Sequence, residues 1–420
     1  MFDWFLQKRM VGGLVFGPPA WMPERIEETF EPVAGTIAVP ATSGIKAEPV
    51  APQAVVRSAG EESPSNRTNF VGLLRRIRLP RTCNLVPAVI DQLREAGDKP
   101  IRTLVLNGLP TQPEFALSAA LTRLALEDVH RGLRAIESGT GANRTLVALD
   151  RHDLRSFQLW RRILRANKPQ KGRRPRIRML LNRYPQADPT MLVRKLFGGR
   201  LAAGALPTQA GRMIVDPVSC WAIGRFLRTG QAFTERPLQI FMQADSKEAA
   251  SPSSSEPQEP RLVMGRIGER MTEFCKRHRV DFQNKQVILN GMLTGREVDP
   301  EATRIDATTE SIAFREPAPA EKATACLACG WCVDVCPTGL TPVHLMQLSQ
   351  NLDAVPEKST EVPAILRSTA ARESLHCIGC GLCTYVCPTR LPLMAATLHL
   401  RSRVSAAMHS AANEVHADEA

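Results

Sequence analysis

Long apolar runs are absent from this chain of 420 residues. No stretch approaches the roughly 20 apolar residues that a bilayer-spanning helix needs, so an integral membrane protein is not expected. The apolar run behind Lys8 and Arg9, Val11 to Phe16, is too short for a signal-peptide core and meets Pro18 and Pro19, so export is not expected either. Aromatic residues are scarce at 5%, which leaves little to stack the bases of single-stranded nucleic acid. A Walker A sequence is missing, and Gly139-Thr140-Gly141 lacks the third glycine of a dinucleotide fingerprint and precedes a strand where the phosphate turn should follow one. Acidic residues are outnumbered, 42 Asp and Glu against 54 Lys and Arg for a net charge of +12. That excess favours acidic partners: nucleic acid, anionic lipid or an acidic protein. Hydrophobic residues at 43% and charged residues at 23% are ordinary, which excludes fibrous and wholly disordered chains, and the length suits roughly two or three domains.

What the chain does have is cysteine in a tight pattern. Eight of its 11 cysteines lie between Cys326 and Cys387, at spacings that suit metal chemistry in a reducing, cytoplasmic setting and not a disulfide framework. Cys326, Cys329, Cys332 and Cys336, followed by Pro337, form a C-x2-C-x2-C-x3-C-P run, and Cys377, Cys380, Cys383, Cys387 and Pro388 repeat it. The first three thiolates of such a run point into one concavity and hold three irons of a cubane. The fourth Cys serves the other cluster of the pair. The expected ligand sets are therefore Cys326, Cys329, Cys332 and Cys387 for one [4Fe–4S] cluster, and Cys377, Cys380, Cys383 and Cys336 for the other. Structural zinc is the competing reading, because C-x2-C pairs also suit tetrahedral Zn, but two complete quartets each closed by proline favour cubanes. With every iron capped by thiolate, no position is open to substrate; the expected role is a wire, with no catalytic residue. His344 and His376 neighbour the ligands without being needed as ligands, and Cys83, Cys220 and Cys275 read as small buried hydrophobes.

Ahead of the cysteines the pattern alternates. Helices are predicted at Pro87 to Ala96, Phe115 to Ile136 and Leu154 to Leu164, with strands at Thr103 to Leu106, Thr145 to Leu149 and Ile177 to Leu181, an order that argues for a parallel sheet. Further strands are expected at Leu238 to Met242, Arg261 to Met264 and Val287 to Leu289, with a helix from Gly268 to Arg277, around a polar Ser/Pro-rich insert at 245–260. Between the cysteine runs, helices are expected at Thr341 to Leu352 and Pro363 to Arg372, and a tail helix at Ala395 to Ala412. From Arg151 to Arg178 there are eleven Lys or Arg and one acid, Asp153; the stretch reads either as a solvated face or as a phosphate or partner contact.

Cysteine runs placed last behind such a region make the chain resemble the C subunit of Rnf-type ion-translocating electron transport complexes. Tyr184-Pro185-Gln186, Gly204 to Pro207 with Gly211, and Gly230 with Thr234 to Pro237 look like landmarks of that family's flavin-binding-type domain, and Leu104 to Gly108 like its Asn-Gly strand. Gly265 to Cys275 and Asn290 to Gly295 resemble its soluble-ligand-binding β-grasp (SLBB) module, and Gly12-Gly13, Pro18-Pro19 and Ile37 to Gly60 weakly resemble its N-terminal barrel-sandwich segment. The resemblance implies a multidomain α/β and α+β fold: a barrel-sandwich-like or partly mobile segment over 1–66, a Rossmann-like α/β domain over 67–235, a β-grasp module over 236–316, a helical two-cluster ferredoxin domain over 317–397 and a tail over 398–420.

FMN-binding members carry a glycine-rich loop where Phe70 to Pro87 stands here. That stretch holds one glycine, Gly72, so the FMN site is expected to be lost and no flavin to be bound. The implied function is a relay of single electrons through two [4Fe–4S] clusters, as a subunit or accessory of a membrane-associated oxidoreductase complex without a complete active site of its own. Its partners would be other subunits or an acidic electron carrier, and its place the cytoplasm or the inner face of the cell membrane. The alternatives are an iron–sulfur subunit of heterodisulfide or glycolate oxidoreductase type, and a nucleic-acid-binding protein with structural clusters.

Overall fold

The computed structural model describes residues 66–113, 115–167, 174–199, 201–202, 204–242, 261–317, 322–353 and 364–418, with side chains as far as Met408. The segment 1–66, but for Asn66, and the polar insert 245–260 lie outside the described residues.

The first unit is built on four parallel strands, β1 (Thr103–Asn107), β2 (Arg144–Asp150), β3 (Arg176–Leu180) and β4 (Arg212–Val215), in the order β3-β2-β1-β4. Its helices are α1 (Arg67–Ile77), α2 (Val89–Ala96), α3 (Leu117–Leu124), α4 (Leu126–Thr140), α5 (Leu154–Ala166), α6 (Pro189–Phe197) and α7 (Pro217–Thr229). The strands are continuous apolar runs because both faces of a parallel sheet are covered. Alternate residues divide between two cores: Leu104, Leu106, Val147, Leu149, Met213 and Val215 face α1, α4 and α7, while Val105, Leu146, Ala148 and Ile214 face Cys83, Val86 and the α6 residues Leu192 and Val193. Helices α4 and α7 cross at backbone contact. A Cβ on Gly132 would lie 1.8 Å from the Cys220 carbonyl oxygen, and one on Gly224 would lie 1.8 Å from that of Asp128. Arg228 closes the crossing with a bidentate pair to Asp128 at 2.9 and 2.6 Å.

Two local outcomes differ from the periodicity. The helix expected over Phe115 to Ile136 breaks at Ala125 (φ −117°, ψ 32°), because the Thr122 carbonyl, which an unbroken helix would use internally, accepts the buried Trp160 indole N–H at 3.0 Å. Helix α1 falls in the stretch that stands for the glycine loop; Asn66 caps it, its side chain accepting from the Asn69 amide at 2.9 Å.

The second unit is a five-stranded sheet of β5 (Glu235–Met242), β6 (Arg261–Arg266), β7 (Gln286–Leu289), β8 (Arg296–Val298) and β9 (Ser311–Arg315), ordered β6-β5-β9-β7-β8 and antiparallel except between β5 and β9. Helix α8 (Met271–Arg277) buries Met271, Phe274 and Cys275 against Leu238, Val287 and Phe314. The third unit is helical: α9 (Trp331–Asp334), α10 (Pro342–Asp353), α11 (Ala364–Arg367), α12 (Thr369–Arg372), α13 (Leu382–Tyr385) and α14 (Leu393–Asp418). The helix expected over Pro363 to Arg372 is two short helices, parted at Ser368, whose hydroxyl donates to the Ile365 carbonyl and accepts from the Ala371 amide. The tail helix runs further than its pattern predicts, and α10 and α14 share a core of Leu345, Leu352, Leu400 and Val404. Among the described residues no helix is long and apolar enough to cross a membrane.

Candidate iron–sulfur site

The two cysteine runs fold alike. Gly330 (φ 78°) opens α9 and Gly381 (φ 77°) opens α13, and the residue two before each, Ala328 (φ 51°) and Gly379 (φ 65°), is also left-handed. These reversals turn successive thiols inward and leave amides free to meet sulfur: Ala328 N–H donates to Cys326 Sγ and Gly379 N–H to Cys377 Sγ, both at 3.4 Å. After each Cys-Pro a threonine hydroxyl meets the fourth sulfur, Thr338 at Cys336 (3.4 Å) and Thr389 at Cys387 (3.2 Å). Leu340 N–H adds a bond to Cys336 Sγ at 3.3 Å.

The chain path then crosses the runs. A cavity of about 240 Å³ is lined by Cys326, Cys329, Cys332 and Cys387, with Leu327, Trp331 and Val343 among its walls. A tighter one, about 20 Å³, is lined by Cys336, Cys377, Cys380 and Cys383. Among the described residues no three Cys, His, Asp or Glu are gathered closely enough to hold a single metal ion. A zinc tetrahedron with Zn–S bonds of about 2.3 Å would draw its thiolates to within about 4 Å of one another, whereas two complete C-x2-C-x2-C-x3-C-P runs are a cubane motif. His344 and His376 line neither cavity, and Cys83, Cys220 and Cys275 are buried singly elsewhere.

The two quartets differ in environment. In the first, Cys326 and Cys329 are exposed and Cys332 and Cys387 half-buried, while in the second Cys336, Cys377, Cys380 and Cys383 are all half-buried. Burial pushes the Cys380 thiol up to about 12 and the Cys383 thiol to about 11, so metal binding there must displace protons. At Cys387 burial pulls the same way, but the Thr389 hydroxyl and the amides of Leu391, Thr389 and Arg390 overcome it and hold that thiol below its ordinary value. The second quartet is also braced by Tyr184 and the 290–295 loop of the other two units and by Arg401 of its own. The Tyr184 hydroxyl donates to the Cys380 carbonyl at 2.6 Å, Arg401 donates to the Cys377 carbonyl, and Gly381 lies so close to the 290–295 loop that a Cβ there would be 2.4 Å from the Leu293 carbonyl oxygen. The sequence pattern does not reveal these supports. The repeated Cys-Pro-Thr is a visible signal; the contact between Tyr184 and Cys380 is not.

At the carboxyl ends of the parallel strands, where open α/β sheets place ligands, the ground is taken. Asp216 caps α7 by accepting from Ser219 N–H at 2.9 Å, and the Thr82 hydroxyl donates to the same carboxylate at 3.0 Å and lies 2.6 Å from Ser219 Oγ. Fully buried Arg236 donates to the Thr82 carbonyl at 2.9 Å, and Glu310 accepts from Asn84 N–H at 3.3 Å. Burial pushes Glu310 up and Arg236 down, and their mutual attraction opposes both shifts. A phosphate would meet a carboxylate at this helix start, and the Thr82 side chain already fills the space beside it. The residues present do not fit FMN.

Comparison with known proteins follows the same division. Residues 89–224 match the family described as the Nuo51 FMN-binding domain, and residues 325–390 match the 4Fe–4S double cluster binding domain. Fold and thiols together define an iron–sulfur protein with two [4Fe–4S] clusters as its cofactors, carried by a double-cluster domain behind an α/β unit. Among curated proteins the chain is similar to the C subunit of the ion-translocating oxidoreductase complex of Buchnera aphidicola subsp. Acyrthosiphon pisum, 22% identical over 300 residues covering 70% of this chain and 56% of that protein. The same-named protein of Rhodobacter capsulatus is 22% identical over 58% of this chain and 45% of its own length, and that of Serratia proteamaculans 24% over 61% and 35%. The chain is RnfC-like, as its landmarks imply, and it spans about half or less of the length of these relatives. The crystal structure of NAD+-reducing [NiFe]-hydrogenase in the air-oxidized state shares its fold, with a TM-score of 0.51 and 13% identity over 84% of this chain and 65% of that one.

Proposed function

We propose that the chain is a relay subunit or accessory of an Rnf-like oxidoreductase complex, with Cys326, Cys329, Cys332 and Cys387 holding one [4Fe–4S] cluster and Cys377, Cys380, Cys383 and Cys336 the other. The observation that carries this reading is the pairing of three thiols from one run with the last thiol of the other around each cavity. When bound, each cluster accepts and gives up one electron at a time. The chain's own part is to hold the thiolates, to present N–H and hydroxyl groups to their sulfurs, and to shield the second quartet with Tyr184, Arg401 and the 290–295 loop. Such hydrogen bonds and solvent exposure tune cluster potentials. The first quartet, with Cys326 and Cys329 exposed, would exchange electrons with a partner and the half-buried second quartet with the interior of the assembly.

The domain division that goes with this reading is a flavin-domain-type unit over 67–235 without flavin, an SLBB-like unit over 236–316 and a two-cluster unit over 317–397. The partners would be other proteins of the complex or an acidic carrier at the inner face of the cell membrane. Anaerobically purified protein is expected to contain about eight irons and eight acid-labile sulfides per chain and no FMN on denaturation. Stoichiometric zinc without iron would overturn the relay. Cys336→Ser is expected to erase the EPR signal that Cys377→Ser erases and to spare the one lost in Cys326→Ser; the opposite pairing refutes the crossed assignment.

A further inference from the structure

An electron added on reduction brings one unit of negative charge, so N–H dipoles and cations aimed at a cluster make it easier to reduce. Several donors around the two quartets come from the runs themselves, and these match: the Ala328 amide with that of Gly379, the Thr338 hydroxyl with that of Thr389. Two donors have no counterpart. The Tyr184 hydroxyl, between β3 and α6 of the parallel-sheet unit, donates to the Cys380 carbonyl at 2.6 Å, and Arg401 on α14 donates to the Cys377 carbonyl. Cys326 and Cys329 hold the equivalent places in the first run, and among the described residues no side chain grips their carbonyls.

A carbonyl held from outside fixes the amide that follows it. The peptide bonds after Cys377 and Cys380 are trans, and in a planar trans peptide the C=O and the next N–H point in opposite directions. With the Cys380 carbonyl turned to Tyr184, the Gly381 N–H is turned the other way; with the Cys377 carbonyl turned to Arg401, so is the Ile378 N–H. Gly381 and Ile378 both line the hollow ringed by Cys336, Cys377, Cys380 and Cys383. Neither amide is spent in a hydrogen bond among the described residues. In the first run Leu327 stands in the place of Ile378 and is exposed.

We propose that Tyr184 and Arg401 are positioning residues that aim the Gly381 and Ile378 amides at the second cluster and raise its reduction potential. This rests on the reading of the second quartet as cluster ligands. The need for such a device follows from burial. Cys326 and Cys329 of the first quartet are exposed, whereas all four thiols of the second are half-buried, so less water stabilises an added charge there, and fixed dipoles with the Arg401 cation take its place. Because Tyr184 belongs to the parallel-sheet unit, the seating of that unit on the cluster unit is part of the setting.

The test is a potentiometric titration of the anaerobically purified two-cluster protein, with dithionite as reductant and EPR as the readout, the second cluster being identified by the signal that Cys377→Ser erases. Tyr184→Phe removes one hydroxyl and is expected to lower that midpoint by at least about threefold in the reduction equilibrium, about 28 mV at 59 mV per tenfold, with iron content and the other midpoint unchanged. Arg401→Gln should lower the same midpoint further, because it removes charge as well, and Arg401→Lys should restore part of it. Tyr385→Phe, which alters an exposed ring, should move neither midpoint. An unmoved second midpoint in Tyr184→Phe, an equal shift of both midpoints, or loss of iron in their place each overturns the positioning role. Absence of iron from the native protein would overturn the cluster reading itself. A shift confined to the Cys377 signal upholds the positioning role even where Cys336→Ser erases the other signal and the crossed assignment falls.

Discussion

His130 is buried in α4 with its ring edge-on to Trp160, 6.3 Å between centroids, and its Nε2 has no partner among the described residues. Burial first, then the charges of Arg134 and Arg131, lower its pKa from 6.5 to about 4. Between those values the unfolded chain holds a proton that the folded chain refuses, so the stability this residue contributes is complete above pH 6.5 and drains as pH falls toward 4. At pH 5 the loss is about 2 kcal/mol. Urea unfolding at pH 7 and pH 5 should show a lower midpoint at pH 5, and His130→Gln should narrow that gap. Arg236 poses the complementary case, a fully buried cation that holds Thr82 and Ala307 while facing Glu310. Arg236→Ala should cost roughly 3 to 5 kcal/mol because it strands a buried carboxylate, and adding Glu310→Gln should recover part of it. The unfolding midpoint of the double variant, compared with the single, checks this.

At the scale of elements, the two cysteine runs are one motif written twice and placed in unequal surroundings. Gly330 and Gly381 share a left-handed conformation, but a Cβ on Gly330 meets nothing within 4 Å whereas one on Gly381 meets the Leu293 backbone at 2.4 Å. Gly330→Ala should therefore cost only the conformational penalty, about 1 to 2 kcal/mol, and keep both clusters. Gly381→Ala should push the 290–295 loop away and lose iron from the second quartet. Iron analysis and EPR of the two variants separate the outcomes; equal losses would mean that the loop does not brace that quartet. The repeat itself, its proline stops and its spacing are legible in the residues, because cluster ligation is a local demand on a short segment. The break at Ala125 is not legible, since it depends on Trp160, far away in sequence, claiming the Thr122 carbonyl. Helix α1 is hidden when Phe70 to Pro87 is taken as a substitute for a glycine loop, although Phe70, Leu73, Leu74 and Ile77 do carry helical spacing and are buried.

Over the whole molecule, the described residues of the basic stretch, 151–167 and 174–178, present a charged surface. Arg155, Arg161, Arg162 and Arg165 on α5 and Arg176 and Arg178 on the edge strand β3 are all exposed, while Trp160 and Leu164 point inward. Cations on an edge strand also discourage unwanted strand pairing. If this face meets an acidic carrier, reversing Arg174, Arg176 and Arg178 to Glu should slow reduction of the carrier at low salt and bring it near the native rate at high salt, because exposed charges are screened over about 8 Å at physiological ionic strength. Stopped-flow rates across a salt series are the measurement, and a rate indifferent to the reversal would leave the face as solvated surface.

The residues alone determined that two cubane-type quartets are present, that a parallel α/β unit precedes them and that the stretch expected to bind flavin phosphate lacks its glycines. Each of these is a short-range property, written in spacing, apolar periodicity or the need for a bare backbone. Only the tertiary structure decided that the first quartet is the more exposed and that Thr82 and Asp216 occupy the start of α7. It alone brought Tyr184 and Arg401 to the second run. Those outcomes depend on contacts between residues far apart in the chain, set by how the three units pack, and no local pattern encodes that arrangement.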